Sequence, residues 1–272
     1  GGIWSPRILH AASQLTRFFL EESVGGGAMR GFPTCVVGLC WAALPATVEA
    51  QFFADSFDSY AGFSFSAGQG GWETWDLDPA WDTYVTNAES FSSPNSLFVG
   101  DAADVVQQFT GVNSGVWYAK AQTYVPSTQT GEMFFILLNT YAPGGTNNWS
   151  VQVVLCQSGC VTTGAMAGQV VNLGGTDVPG GGSAPLIVDQ WVELLVEIDF
   201  NQSLYWVYYN GVLVDGPLDW TTTGLFELQC MDLFSNGSSE SYMDNIWLDT
   251  SNPFFYDGFE SGDTGNWTTT VP

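Results

Sequence analysis

Three tryptophans stand close together in GGWETWDLDPAWD, Trp72, Trp75 and Trp81, interleaved with Glu73, Asp76, Asp78 and Asp82. Indole faces stack on the apolar side of a pyranose ring while carboxylates accept its hydroxyl hydrogens, so this spacing suits a carbohydrate platform. The same rings can fill a core, and Trp72 is the one best placed to do so. A second segment, YAPGGTNNWS, carries Tyr141, Asn147, Asn148 and Trp149 in a loop that could extend such a platform. Elsewhere Glu197 and Asp199 in VEIDF stand two residues apart. On a strand that spacing puts both carboxylates on one face, roughly 6–7 Å apart, within the range used by a nucleophile and a helper. The exposed face of an ordinary strand is the competing reading.

Composition narrows the chemistry. The chain of 272 residues has a formal net charge of −24, with Arg7, Arg17, Arg30 and Lys120 as its basic side chains and His10 as its one histidine. From Gln51 onward there is no His, no Arg and a single Lys against 25 acidic residues. Without cations to neutralise phosphate, nucleic acid and anionic membranes are poor partners. Triads that need histidine, and histidine zinc sites, are excluded from that region. Carboxylates, amides, hydroxyls and aromatic rings remain, an inventory that suits sugars and calcium.

The first fifty residues read differently from the rest. Met29-Arg30 leads into the apolar run PTCVVGLCWAALPA and then Val48-Glu49-Ala50, the anatomy of a secretory signal rather than of a membrane span. Residues 29–50 are therefore expected to be a signal peptide, and residues 1–28 upstream sequence read in frame or a long leader. Export implies a secreted or cell-surface location and no membrane insertion. Cys156 and Cys160, in VVLCQSGCVTTG, then suit a small disulfide, with two free thiols as the alternative. Cys230 is left over and reads as a buried apolar residue.

These groups must be positioned by strands. In 191–214, WVELLVEIDFNQSLYWVYYNGVLV, the even positions Val192, Leu194, Val196, Ile198 and Phe200 are all apolar. That period of two points one face into a core. Asn210-Gly211 supplies the positive φ angles of a two-residue hairpin turn. Short strand patterns recur from Phe53 to Leu248 with Gly, Asn, Pro and Ser between them, which predicts an all-β, two-sheet antiparallel β-sandwich of jelly-roll type over residues 51–250. The run GGTDVPGGGSAP is expected to be a surface loop.

Three motifs, DSFDSYAGFSFSAGQGGWETW, W-x-E-L-x-V-E-I-D…Y-x-N-G-V-L-V and YMDNIWLD, resemble those of secreted bacterial domains of the concanavalin A-like lectin/glucanase superfamily, over about residues 52–249. That resemblance implies a laminin-G-type jelly roll, a scaffold shared by lectins, binding modules, lyases and glucanases. Laminarinase-like members carry E-x-D-x-(x)-E, whereas Asn201 or Gln202 stands here in place of the last glutamate, so the resemblance argues against catalysis at Glu197 and Asp199. Lyases on such folds need Tyr with His, Arg or Lys, and Lys120 is all that is present. A glycosidase would have to pair carboxylates by folding, such as Glu132 with Glu197. The resemblance further implies a structural Ca²⁺ between the first and last strands, held by Asp55 or Asp58 with Asp244. Solvated edge acids are the alternative.

The tail, residues 251–272, repeats a pattern from the domain's start: Asp257-Gly258-Phe259-Glu260-Ser261 against Asp55-Ser56-Phe57-Asp58-Ser59. It reads as a truncated repeat, an attachment segment or a chance similarity. Together these features lead us to expect a secreted, non-catalytic module that binds a polysaccharide or other glycan. A structural or adhesive surface protein comes second, and an atypical glycoside hydrolase third.

Overall fold

The computed structural model describes residues 52–250. The leader, the signal and the tail expected from the sequence lie outside the described residues. Two antiparallel sheets make up the fold. The first is built from β1 (Phe53–Asp55), β3 (Val85–Thr86), β4 (Ser96–Phe98), β6 (Val116–Tyr124), β11 (Trp191–Asp199), β12 (Leu204–Tyr209), β13 (Val212–Asp219) and β15 (Tyr242–Asp249). The second contains β2 (Trp72–Thr74), β5 (Asp104–Gln108), β7 (Glu132–Thr140), β8 (Asn148–Cys156), β9 (Gln169–Asn172), β10 (Ser183–Pro185) and β14 (Cys230–Asn236).

The order of the first sheet is β13-β12-β11-β6-β15-β4-β3, with β1 on β15; the second runs β10-β9-β8-β7-β14-β5-β2. Chain neighbours are often split between the sheets, as β4 and β5 are. The result is a jelly-roll sandwich rather than two meanders. Among the described residues no helix is long and apolar enough to cross a membrane.

One core fills the space between the sheets. Val192, Leu194, Val196 and Ile198 of β11 enter it, as do Tyr205, Val207 and Tyr209 of β12. From the second sheet come Met133, Phe135 and Leu137 of β7, with Val151, Val153 and Leu155 of β8. The period of two in β11 is thus used as the sequence predicts. On the outer face of the first sheet sits the one lysine, Lys120. Its ammonium is 3.6 Å from Glu193 and lies over the Trp247 ring, 5.3 Å from the centroid.

The second sheet departs from the simple pattern of one wet and one dry face. Every residue of β7 except Thr140 is buried. Its outward-facing Phe134, Ile136 and Leu138 form a second apolar cluster with Val106, Val154, Val171 and Cys230. Strands buried on both faces read as continuous apolar runs, as EMFFILLN does. The segments covering this face include the one around Trp75 and the loop that carries Cys160 and Ala165. The glycine-rich run expected to be a loop also contributes an edge strand, β10, paired to β9.

Candidate functional site

The register of the second sheet decides which side chains meet on its outer face. Asp232 of β14 pairs with Ile136 of β7 on one side and Val106 of β5 on the other. Two residues along, Phe234 pairs with Phe134 and with Asp104. Gln152 of β8 pairs with Ile136. Alternate residues share a face, so Asp104, Asp232, Phe134, Phe234, Ile136 and Gln152 converge on one patch. With Trp75, Trp149 and Thr162 they line a cleft of about 320 Å³.

Its aromatic wall is assembled from separate parts of the chain. Trp75 and Trp149 stack with ring centroids 6.3 Å apart and planes 12° from parallel, and Tyr141 lies 5.0 Å from Trp75. Trp149 is fixed through its backbone. Its N–H donates to Thr176 Oγ1 at 3.1 Å, and its carbonyl accepts from the Thr176 N–H at 2.8 Å. A Cβ on Gly175 would overlap that same carbonyl, so only glycine lets the loop lie this close.

Trp75 is held by the turn that Asp76 shapes. Asp76 adopts a left-handed φ of 55°, its Oδ1 accepts from the Gly144 N–H at 2.7 Å, and its own N–H donates to the Tyr141 hydroxyl at 3.2 Å. Asp78 caps the next turn by accepting from the Ala80 N–H at 2.9 Å. Of the carboxylates expected to contact sugar, Asp76 therefore helps to build the wall and Asp78 holds the turn beyond it.

Two carboxyls occupy the floor. Asp232 is 3 % exposed, and Oδ1 of both Asp232 and Asp104 receives no hydrogen bond from any protein donor. The two side chains lie within hydrogen-bonding reach of each other, and burial is the main reason that both resist ionisation. Asp104 is pushed up to about 6, by burial and then by the charge of Asp76 against a lowering contact with Asp232, and Asp232 lies well above its ordinary value, raised by burial and then by Asp104. Like charges at such range cannot both ionise cheaply, so the pair keeps a proton at pH values where a free carboxyl has lost it.

At the other end of the patch Glu132 is fully buried. It accepts from the Val161 and Thr162 N–H groups at 2.8 and 2.7 Å, from Thr162 Oγ1 at 2.7 Å and from Asn236 Nδ2 at 2.7 Å. Burial opposes its ionisation, but these donors outweigh it and hold its carboxyl below the usual range. It anchors the loop that brings Thr162 to the cleft. Cys156 and Cys160 form a disulfide that closes the same loop.

The remaining residues expected to act fall elsewhere. Trp72 is 0 % exposed in the core, and its Nε1 donates to Asp55 Oδ2 at 2.9 Å, so the ligand role expected of it gives way to packing. Trp81 is 39 % exposed and is not part of the cleft wall. Asn148 accepts from Asn139 Nδ2 at 3.1 Å.

Glu197 stands on β11 in the opposite sheet from Glu132, so those two carboxylates are not brought together. Burial raises Glu197, and Asp199 adds to this. Asp199 itself ties down the turn after β11, accepting from the Asn201 and Gln202 N–H groups at 2.9 and 3.2 Å. A carboxylate used in this way supports the hairpin rather than a reaction.

The residues expected to hold calcium have protein partners. Asp55 accepts from Phe57 N–H at 2.8 Å, Trp72 Nε1 and the Tyr60 hydroxyl. Asp58 accepts from Asn95 N–H at 3.1 Å. Asp244 Oδ2 accepts from the Phe91 and Ser92 N–H groups at 2.8 and 2.9 Å, and its Oδ1 from Asn245 N–H at 2.7 Å. These carboxylates serve the fold as acceptors of protein donors, where the resemblance implies metal ligation. Among the described residues no group of three or more His, Cys, Asp or Glu is arranged to hold a metal.

Asp104, Asp232, Phe134, Phe234, Gln152 and Thr162 were not singled out by sequence reasoning. One signal was available: an acid inside each of two apolar strands, CMDLF and DVV, at positions whose neighbours are buried on both faces.

No protein-family profile matches the chain, and no curated protein sequence does. Solved structures resemble it at low identity. The globular domain of T. cruzi calreticulin is 11 % identical with a TM-score of 0.48, over 74 % of this chain and 89 % of that one. A Bacillus subtilis protein of unknown function with a galectin-like fold is 9 % identical with a TM-score of 0.45, over 74 % and 98 %. A sialidase is 11 % identical with a TM-score of 0.49, over 74 % of this chain but only 18 % of its own length. The two antiparallel sheets and the jelly-roll order described above stand independently of them.

Proposed function

We propose that this protein is a glycan-binding β-sandwich module that takes its ligand in the cleft on the outer face of the second sheet. The observation that carries this reading is the parallel Trp75–Trp149 pair walling a cleft whose floor holds Asp104, Asp232, Gln152 and Thr162. An aromatic wall receives the apolar face of a sugar ring, and a few convergent polar groups fix its hydroxyls.

The reading is of binding rather than hydrolysis. Retaining glycosidases separate their two carboxyls by about 5 Å and inverting ones by more, to admit the sugar or a water. Asp104 and Asp232 are close enough to share a proton, and no other carboxylate lines the cleft among the described residues. Export is part of the same proposal. It is supported by the Cys156–Cys160 disulfide, which an oxidising compartment preserves.

Titration calorimetry of the folded protein against a panel of neutral and amine-bearing oligosaccharides tests the binding. The expected result is saturable binding to at least one of them that is lost in Trp149→Ala. No binding by any sugar would remove the proposal. Release of reducing ends from the same panel would replace it with the hydrolase reading.

A further inference from the structure

The floor of the cleft is an unusual place for two acids. Asp232 is almost fully buried, has an oxygen with no protein donor, and faces the cleft that aromatic rings enclose. A structural carboxylate would be expected to collect donors, as Glu132 and Asp177 do. Asp177 accepts from the Thr222 and Thr223 N–H groups and from the Thr221, Thr222 and Thr223 hydroxyls. Asp104 and Asp232 collect none on these oxygens, and no cation is near to compensate them. Lys120, the one basic residue between 52 and 250, is on the first sheet.

We propose that the ligand's recognised group is a protonated primary amine on a sugar ring, held between Asp104 and Asp232 with Trp75, Trp149 and Phe134 around it. This rests on the glycan-binding reading above and narrows its ligand to amino sugars with a free amine. An ammonium has three donors for the two carboxyl groups that line the cleft, and charge-assisted bonds of this kind are the strong ones. Ring faces beside it add cation–π attraction. An N-acetylated sugar offers no charge there and a single N–H donor in place of three.

The exchange balances. At neutral pH Asp104, pushed up to about 6, is ionised while Asp232, raised further by its burial, keeps its proton, so the pair carries a single negative charge. When the ammonium enters, that proton leaves to solvent and both carboxylates face the cation. The other titratable groups around the pair are Asp76 on the turn above it, Glu73 on β2, Cys230 on β14 and Tyr141 beyond β7. None of these is a base that charges positively, so none competes with the ligand.

Calorimetry at pH 7 compares glucosamine and galactosamine tetramers, their N-acetylated counterparts, amine-free tetramers such as cellotetraose, and spermidine. The amine-bearing sugar should bind about tenfold or more tighter than its acetylated and amine-free counterparts, the size expected of a buried charge-assisted contact. The observed heat should change with the ionisation enthalpy of the buffer, reporting proton release. In Asp104→Asn/Asp232→Asn, whose folding is checked by thermal unfolding, the preference ratio should fall to about one.

If the double variant does not fold, Asp104→Asn alone should reduce the ratio and abolish the buffer dependence. Equal binding of aminated and acetylated sugars would overturn the amine while leaving the glycan site in place. Failure of every sugar would overturn both. Spermidine binding as tightly as the amino sugar would overturn the requirement for a sugar.

Discussion

Trp75 and Trp149 lie 12° from parallel with their ring centroids 6.3 Å apart, although one belongs to a short turn after β2 and the other to β8. Their separation in sequence makes the wall of the cleft a product of tertiary structure. It also allows that wall to be tested apart from stability. Trp75→Ala and Trp149→Ala should each weaken glycan binding by about 1 kcal/mol or more, roughly fivefold in Kd, with small changes in unfolding temperature. Trp72→Ala should do the reverse. It empties a fully buried site and leaves Asp55 without its indole donor, at a cost of about 3–5 kcal/mol in a urea titration.

Asp104 and Asp232 should leave a signature in the pH dependence of folding. Their folded-state values lie above those of the unfolded chain, near 6 for Asp104 and higher for Asp232. The folded protein therefore binds more protons than the unfolded one across that interval. The pair's contribution to stability should be greatest below about pH 4, the unfolded carboxyl value, and fall as pH rises through 6 and beyond. Asp244, raised to about 7 mainly by burial, contributes over the same range. The slope lost in Asp104→Asn/Asp232→Asn relative to wild type, read from denaturation at several pH values, isolates the pair. An unchanged slope would mean that the two carboxyls are not proton-linked to folding.

Glu132 works in the opposite direction. Because its carboxyl is held below the usual range, it stabilises the fold above about pH 4.3 and the effect is lost as pH falls through its lower folded value. Glu132→Ala strands the donors of Val161, Thr162 and Asn236. It should cost about 1–3 kcal/mol at neutral pH and increase amide exchange in the loop that carries Thr162. Unchanged exchange at Val161 and Thr162 would show that the disulfide alone holds that loop.

Calcium offers a fourth measurement. Asp55, Asp58 and Asp244 already receive protein donors, so scanning calorimetry should give the same unfolding temperature in EDTA as in millimolar calcium. A clear rise with calcium would restore the cation between the first and last strands.

Much of the scaffold was legible because one-sided strands advertise themselves. The alternation in Val192–Phe200 placed β11 correctly, and Asn210-Gly211 placed the turn after β12. The aromatic wall was half legible. Trp75 and Trp149 stood out as types, and Trp72, three residues before Trp75 and the ring read as best placed to fill the core, is fully buried there, but the stacking of Trp75 on Trp149 is not written in either segment. The floor was not read at all. Asp104 and Asp232 meet only through the pairing of β5 with β14, strands separated by more than a hundred residues, and pairing register is not written in either strand alone. The acids that did attract notice, Asp76, Asp78 and Asp199, were noticed for their density. Dense acids near turns mostly accept backbone N–H groups there, as these do.

The placement of Lys120 has a practical consequence. Between residues 52 and 250 there is no arginine and only this lysine, buried in β6 between β11 and β15, paired with Glu193 and covered by Trp247. Trypsin therefore has a single peptide bond to attack in the whole sandwich, at the centre of a sheet. It can be cut only when that sheet comes apart, so one proteolytic fragment pair counts openings of the fold directly.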